Sequence, residues 1–162
     1  MSRSPLLAAA ALTLLLTTGC AVRLIGDYDE VIDHGITDFQ EKADAYLIQL
    51  SEAAGTAGAA YAPAFYDQSQ ARLGSLRTRA EASFKKEILA KQITLLMDTM
   101  DKLRALHKDM GPKITLGAID ASRAAIASQV GSILKLELAL KRGKKTGRLR
   151  PLPRSGLAVA AD

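Results

Sequence analysis

Glu30, His34 and Asp38 are the residues of this chain that come nearest to a reactive constellation. They follow one another at intervals of four, so on a helix they share one face. Two carboxylates and an imidazole on one face are a donor set suited to a divalent metal. The stretch around them is acidic throughout, with Asp27, Asp29 and Asp33 alongside. Helical proteins that hold two irons place Glu-x-x-His on two different helices. That spacing occurs nowhere in this chain, which has 2 histidines in all. The plainer reading is a solvated acidic face that complements the positive N-terminal end of a helix. On that reading neither a metal nor any other cofactor is expected.

The second histidine, His107, falls on an apolar stripe beside Leu103 and Met110. There it could act as an axial ligand or move a proton. The plainer reading is that it serves the last carbonyls of a helix, a common place for cationic and hydrogen-bonding side chains. Glu137 sits among Leu134, Leu136, Leu138 and Leu140. An acid close to a core needs a partner, and Lys85, Lys86 and Lys91 are the cations expected at the same end. Nucleophilic catalysis has no support: the chain has no Gly-x-Ser-x-Gly and no glycine-rich phosphate loop. Tyr61, Phe65 and Tyr66 could line a ligand groove, although helical aromatics are more often core or loop anchors. No catalytic residue is assigned, and the chain is not expected to be an enzyme.

The elements that must position these residues are helical. With no tryptophan, 3 phenylalanines and 4 tyrosines, the core has to come from Leu, Ile, Ala and Met. A first stripe, Tyr28, Ile32, Phe39, Ala43, Tyr46, Leu50 and Ala53, predicts a helix over about Asp27 to Ala54, with Asp27 and Glu30 as a capping box. A second helix opens at Pro63 and turns Phe65, Leu73, Leu76, Ala80 and Phe84 inward. A third carries Leu89, Ile93, Leu96, Met100, Leu103, His107 and Met110. One helix from 63 to 109 would be about 70 Å long, so a break is placed near Ser83 to Glu87. Gly111-Pro112 stops the third helix, and a fourth follows over about Lys113 to Leu140 with Ile119, Ile126, Val130, Ile133 and Leu140 inward. The fold class expected is all-α, an antiparallel up-down four-helix bundle of long amphipathic helices, over residues 27–142. On that arrangement His34 and His107 lie about 20 Å apart along the axis and cannot share a metal.

Charge is divided unevenly along the chain. The formal net charge is +5, yet Leu24 to Leu140 holds sixteen acidic and thirteen basic side chains. Lys141 to Arg154 holds seven basic residues and no acidic one. Lys141, Arg142, Lys144, Lys145, Arg148 and Arg150 are therefore the candidates for contact with a membrane or an anionic partner, on a basic tail over 143–162 that reads as disordered.

The N-terminus supplies an address. Arg3 precedes an apolar run from Leu6 to Leu16, too short for a membrane span of about 20 residues. It leads into Leu16-Thr17-Thr18-Gly19-Cys20, and Cys20 is the chain's 1 cysteine. This ending resembles the lipobox of bacterial lipoproteins, with Thr17 in place of the usual aliphatic residue. The resemblance implies cleavage between Gly19 and Cys20, lipidation of Cys20, a removed signal over 1–19 and a short linker over 20–26. It also implies a cell-envelope location. In such proteins of Gram-negative bacteria an aspartate after the cysteine tends to retain the protein at the inner membrane, so Ala21 implies the outer membrane, facing the periplasm. The helical body resembles small exported helical lipoproteins. An exported chain does not meet nucleic acid in the ordinary course, which removes that reading of the basic tail. The partners expected are the membrane, through the lipid, and an envelope protein or anionic surface. The functional expectation is a non-enzymatic interaction or envelope-structural role; the alternative is a periplasmic ligand- or metal-binding bundle. The oligomeric state is left open, because the same stripes would serve a helical dimer.

Overall fold

Asp29 starts the first helix because its side chain and its backbone are both held. In extended conformation, its carboxylate accepts the Val31 N–H at 3.0 Å as an N-cap. Its own N–H donates to a Glu137 carboxylate oxygen at 3.0 Å, 108 residues away in sequence. The cap therefore sits at Asp29, two residues later than the box expected at Asp27, since the tie to Glu137 holds Asp29 outside the helix.

The computed structural model describes residues 27–83 and 86–146. Four long helices carry the fold: α1 (Glu30–Ala53), α2 (Pro63–Glu81), α3 (Glu87–Met110) and α4 (Leu116–Thr146). Short 3-10 turns, Ala57–Ala59 and Gly111–Lys113, lie between α1 and α2 and between α3 and α4. The described residues contain no strand, and none of their helices is long and apolar enough to cross a membrane. α2 opens with Pro63 in its first turn, where the missing N–H costs no helical hydrogen bond. The break between α2 and α3 falls between Glu81 and Glu87, as the chain-length argument requires. Gly111 takes φ 52° and ψ −130°, a backbone conformation open to glycine, and ends α3.

The four stripes meet in one core. α1 contributes Ile32, Ile36, Phe39, Ala43, Leu47 and Leu50; α3 contributes Leu89, Ile93, Leu96, Met100 and Leu103; α4 contributes Ile119, Ile126, Val130 and Ile133. Each fully buried Leu or Ile stabilises the fold by roughly 1.5–3 kcal/mol relative to exposure. On α2 the inward row is Tyr66, Ser69, Leu73, Leu76 and Ala80. Tyr66 is fully buried, a core anchor rather than a groove residue, whereas Phe65, expected on the inward face, is only half-buried. The two are neighbours in sequence and about 100° apart around the helix, so the seating of α2 decides which points inward. Phe84 lies outside the described residues.

α1 packs against α2 and α4, and α3 against the same two. Two groups of contacts tie the helix ends together. The start of α1, the end of α2, the start of α3 and the last turns of α4 converge around Asp29, Arg79, Lys86 and Glu137. The end of α1, both 3-10 turns and the end of α3 converge elsewhere, where the Gly55 N–H donates to the Pro112 carbonyl at 3.0 Å and Ala59 meets His107. α4 starts three residues later than expected, at Leu116, and runs on to Thr146 through Gly143. Cationic side chains favour the negative C-terminal end of a helix, and the next proline comes only at Pro151. Residues 143–146 are therefore helical rather than the start of a disordered tail.

Candidate functional site

The end of the molecule that receives both the N-terminal segment and the close of α4 is built on buried charge. Glu137 follows Ile126, Val130 and Ile133 on the inward row of α4 and is 0% exposed. Lys86, just before α3, is 3% exposed and places its Nζ 3.4 Å from a Glu137 oxygen. The same ammonium lies 3.8 Å from Asp29, which also accepts from Arg79 Nε at 2.8 Å. Of the cations expected near Glu137, Lys86 is the partner; Lys91 is exposed on α3, and Lys85 lies outside the described residues.

The two carboxylates respond in opposite directions. Burial pushes the Glu137 carboxyl above its ordinary value, against the opposing pull of the Asp29 N–H and Lys86. Burial pushes Asp29 upward too, but Arg79, Lys86 and the Val31 N–H together hold it below its ordinary value. A fully buried carboxylate thus shares one ammonium with a second carboxylate that is better paired.

Tyr28 joins the N-terminal segment to the end of α4. Its hydroxyl donates to Asp33 at 2.7 Å, which with burial pushes the phenol up to about 12. The Lys141 ammonium sits 4.7 Å from the Tyr28 ring centre and donates to the Tyr28 hydroxyl at 3.4 Å. The first described residues and the basic close of α4 therefore touch. Arg142 is exposed, Lys144 and Lys145 lie on the last turn of α4, and Arg148 and Arg150 lie outside the described residues, as do Gly19 and Cys20.

The acidic row does not converge. Glu30 lies 3.4 Å from His34, both well exposed, while Asp38 turns to Arg72 of α2 at 3.3 Å. Among the described residues no group of three or more His, Cys, Asp or Glu side chains is placed to hold a metal ion. His107 lies in the other group of contacts and does not meet His34.

His107 is fully buried in an aromatic cage. Its Nε2 is 2.9 Å from the Ala59 carbonyl, which can only accept, so Nε2 carries a proton. In the neutral ring Nδ1 then accepts from the Tyr66 hydroxyl at 2.8 Å, with the Tyr46 hydroxyl at 3.4 Å. Burial raises the Tyr66 phenol far above its ordinary value, which keeps it a donor. Tyr61 stacks beside Tyr66, and its hydroxyl accepts from Arg104, which also pairs with Asp67 at 2.8 Å. The imidazole thus fastens the first 3-10 turn to α2 and α3. It caps a carbonyl, as one of the two sequence readings allowed, but that of Ala59 rather than of its own helix. Sequence reasoning misses Ala59 altogether; an alanine in a short 3-10 turn carries no signal that its carbonyl is a buried acceptor.

Comparison with protein-family models, with curated proteins and with solved structures gives no match for this chain.

Proposed function

We propose that this chain is a lipid-anchored envelope protein, an antiparallel up-down four-helix bundle held at a membrane surface by its charged end. In this reading it has an interaction or envelope-structural role and no catalytic one. Cys20 is the lipidated residue, after removal of the signal before it, and the membrane is the outer membrane seen from the periplasm. The short connections and the two groups of contacting helix ends support the up-down arrangement.

The observation that carries the reading is the contact between Tyr28 and Lys141. It brings the start of the described chain and the basic close of α4 to one end of the molecule. Cys20 precedes Asp27 by seven residues, a reach of at most about 25 Å. A lipid on Cys20 would then hold Lys141, Arg142, Lys144, Lys145, Arg148 and Arg150 near the headgroups. Each basic residue close to an anionic surface contributes about 1 kcal/mol, within a Debye length of about 8 Å. Asp27, Asp29, Glu30 and Asp33 at the same end oppose this attraction, so the tail orients the bundle while the acyl chains retain it.

Flotation with vesicles of the mature chain, begun at residue 20 and carrying Cys20→Ala, isolates the tail from both the lipid and the apolar run before it. The reading expects binding to vesicles containing phosphatidylglycerol, loss at high salt, where charge is screened within a few Å, and loss when the six basic residues become Gln. Equal recovery with neutral phosphatidylcholine vesicles, or no dependence on those six residues, would remove the surface-contact part of the reading.

A further inference from the structure

α1 and α2 leave between them an open groove of about 400 Å³, in the size range of small-molecule sites. Its floor is aromatic: Phe39 is 3% exposed, and Phe65 stacks on Tyr46 with ring centres 3.7 Å apart. Its rim is charged, with Lys42 and Asp38 one turn apart on α1 and Arg72 on α2.

Ser69 gives this groove its meaning. It occupies an inward position of α2, between Tyr66 and Leu73, and is 5% exposed. Thr37, Thr78, Thr94, Thr99, Ser122 and Ser132 all turn their hydroxyls back onto the carbonyl four residues earlier, at 2.8–3.1 Å. Ser69 makes no hydrogen bond to any described residue and lines the groove instead. A leucine there would fill part of the groove, on the same inward row as Leu73 and Leu76. Its hydroxyl opens to the groove, where a bound molecule could reach it.

The rim determines what that hydroxyl would meet. Lys42 forms no ion pair among the described residues. Arg72 uses one of its five N–H donors, on Asp38 at 3.3 Å, and both side chains of that pair are about half exposed. Its guanidinium lies beside Gly35, where a Cβ would come within 3.4 Å of Arg72 Nη2. Two cations against one carboxylate leave the rim one positive charge in excess. An Arg fork, an ammonium and a free hydroxyl together match a carboxylate, and two aromatic side chains beneath match a flat apolar body.

We propose that the groove between α1 and α2 is a binding site for a small aromatic carboxylate. Its acid group is held by Lys42, Arg72 and the Ser69 hydroxyl, and its ring lies over Phe39 and Phe65. The site is independent of Cys20 and of any membrane contact.

The test is a titration of the full Cys20→Ala chain with 2-naphthoate, followed by amide chemical shifts, with neutral 2-naphthamide as the matched control. The proposal expects saturable one-to-one shifts centred on residues 38–42 and 65–72. It expects 2-naphthamide to bind at least tenfold more weakly. Ser69→Leu should weaken naphthoate at least tenfold while leaving the thermal midpoint no lower than wild type. The Lys42→Gln, Arg72→Gln double variant should weaken it at least tenfold with the unfolding transition unchanged, and it decides the matter if Ser69→Leu does not fold. Absence of saturable shifts, equal binding of the amide, or binding that survives the double variant would overturn the proposal.

Discussion

Replacing Lys86 by Met and Glu137 by Gln, singly and together, tests whether the charged end is one coupled unit. Lys86 is 3% exposed, Glu137 is 0% exposed, and their charged atoms are 3.4 Å apart. Removing one member of a buried pair costs about 3–5 kcal/mol, because the other charge stays buried. The lower end of that range applies here for two reasons. In Glu137→Gln, Lys86 keeps Asp29 at 3.8 Å. In Lys86→Met, Glu137 can take up a proton, which burial already favours. Each single change should therefore cost about 3 kcal/mol. The double variant removes both charges, and the amide oxygen introduced by Glu137→Gln can still accept the Asp29 N–H. It should cost no more than either single change, a coupling of about 3 kcal/mol. Urea unfolding of all four proteins by linear extrapolation measures this. The pH dependence adds a check of sign. A carboxyl whose folded value lies above its unfolded one stabilises most at low pH, and that contribution is lost as pH rises through the folded value. The penalty of Lys86→Met should thus shrink as pH falls. Additive losses in the double variant, about 6 kcal/mol in all, would refute the pairing, as would a penalty for Lys86→Met that grows toward acid.

Three further outcomes follow from other contacts. His107→Leu leaves the Ala59 carbonyl and the Tyr66 hydroxyl without their partner, and should cost about 2–4 kcal/mol in urea unfolding, with Tyr66→Phe costing about half as much. Gly111→Ala places a Cβ at φ 52°, ψ −130° and should lower stability by about 1–3 kcal/mol, although nothing lies within 4 Å of the new atom. Asp29 is held below its unfolded value of 3.8, so its contribution is present above that pH and is lost as pH falls through the folded value. Asp29→Asn keeps a good N-cap and should approach wild-type stability as acid unfolding is followed below about pH 4 by circular dichroism.

The helices and their inward rows are legible because each relies on a period within one segment. Leu89, Ile93, Leu96, Met100 and Leu103 repeat at 3 and 4, and all five are buried. Gly111-Pro112 and Pro63 carry their own punctuation. What is illegible depends on groups far apart in sequence. Tyr66 and Phe65 compete for the same inward place, and the rotation of α2 against α1 and α3 chooses between them. The Asp29 cap depends on Glu137, 108 residues later, and His107 depends on Ala59, 48 residues earlier. Glu137 is readable as an acid in need of a cation, but Lys86 is one of three lysines on offer. Ser69 gives no sign in the sequence, since a serine on a helix ordinarily bonds its own backbone. The end of α4 is misplaced by sequence alone because Gly143 and a run of lysines resemble a stop signal, whereas cations at a helix C-terminus favour its continuation.

Intact mass of the protein extracted from membranes, beside its Cys20→Ala variant, tests the central claim most directly. The account predicts a chain beginning at Cys20 that carries acyl chains, and a variant recovered without them. An unacylated wild-type chain, or one that retains residues before Cys20, would contradict it.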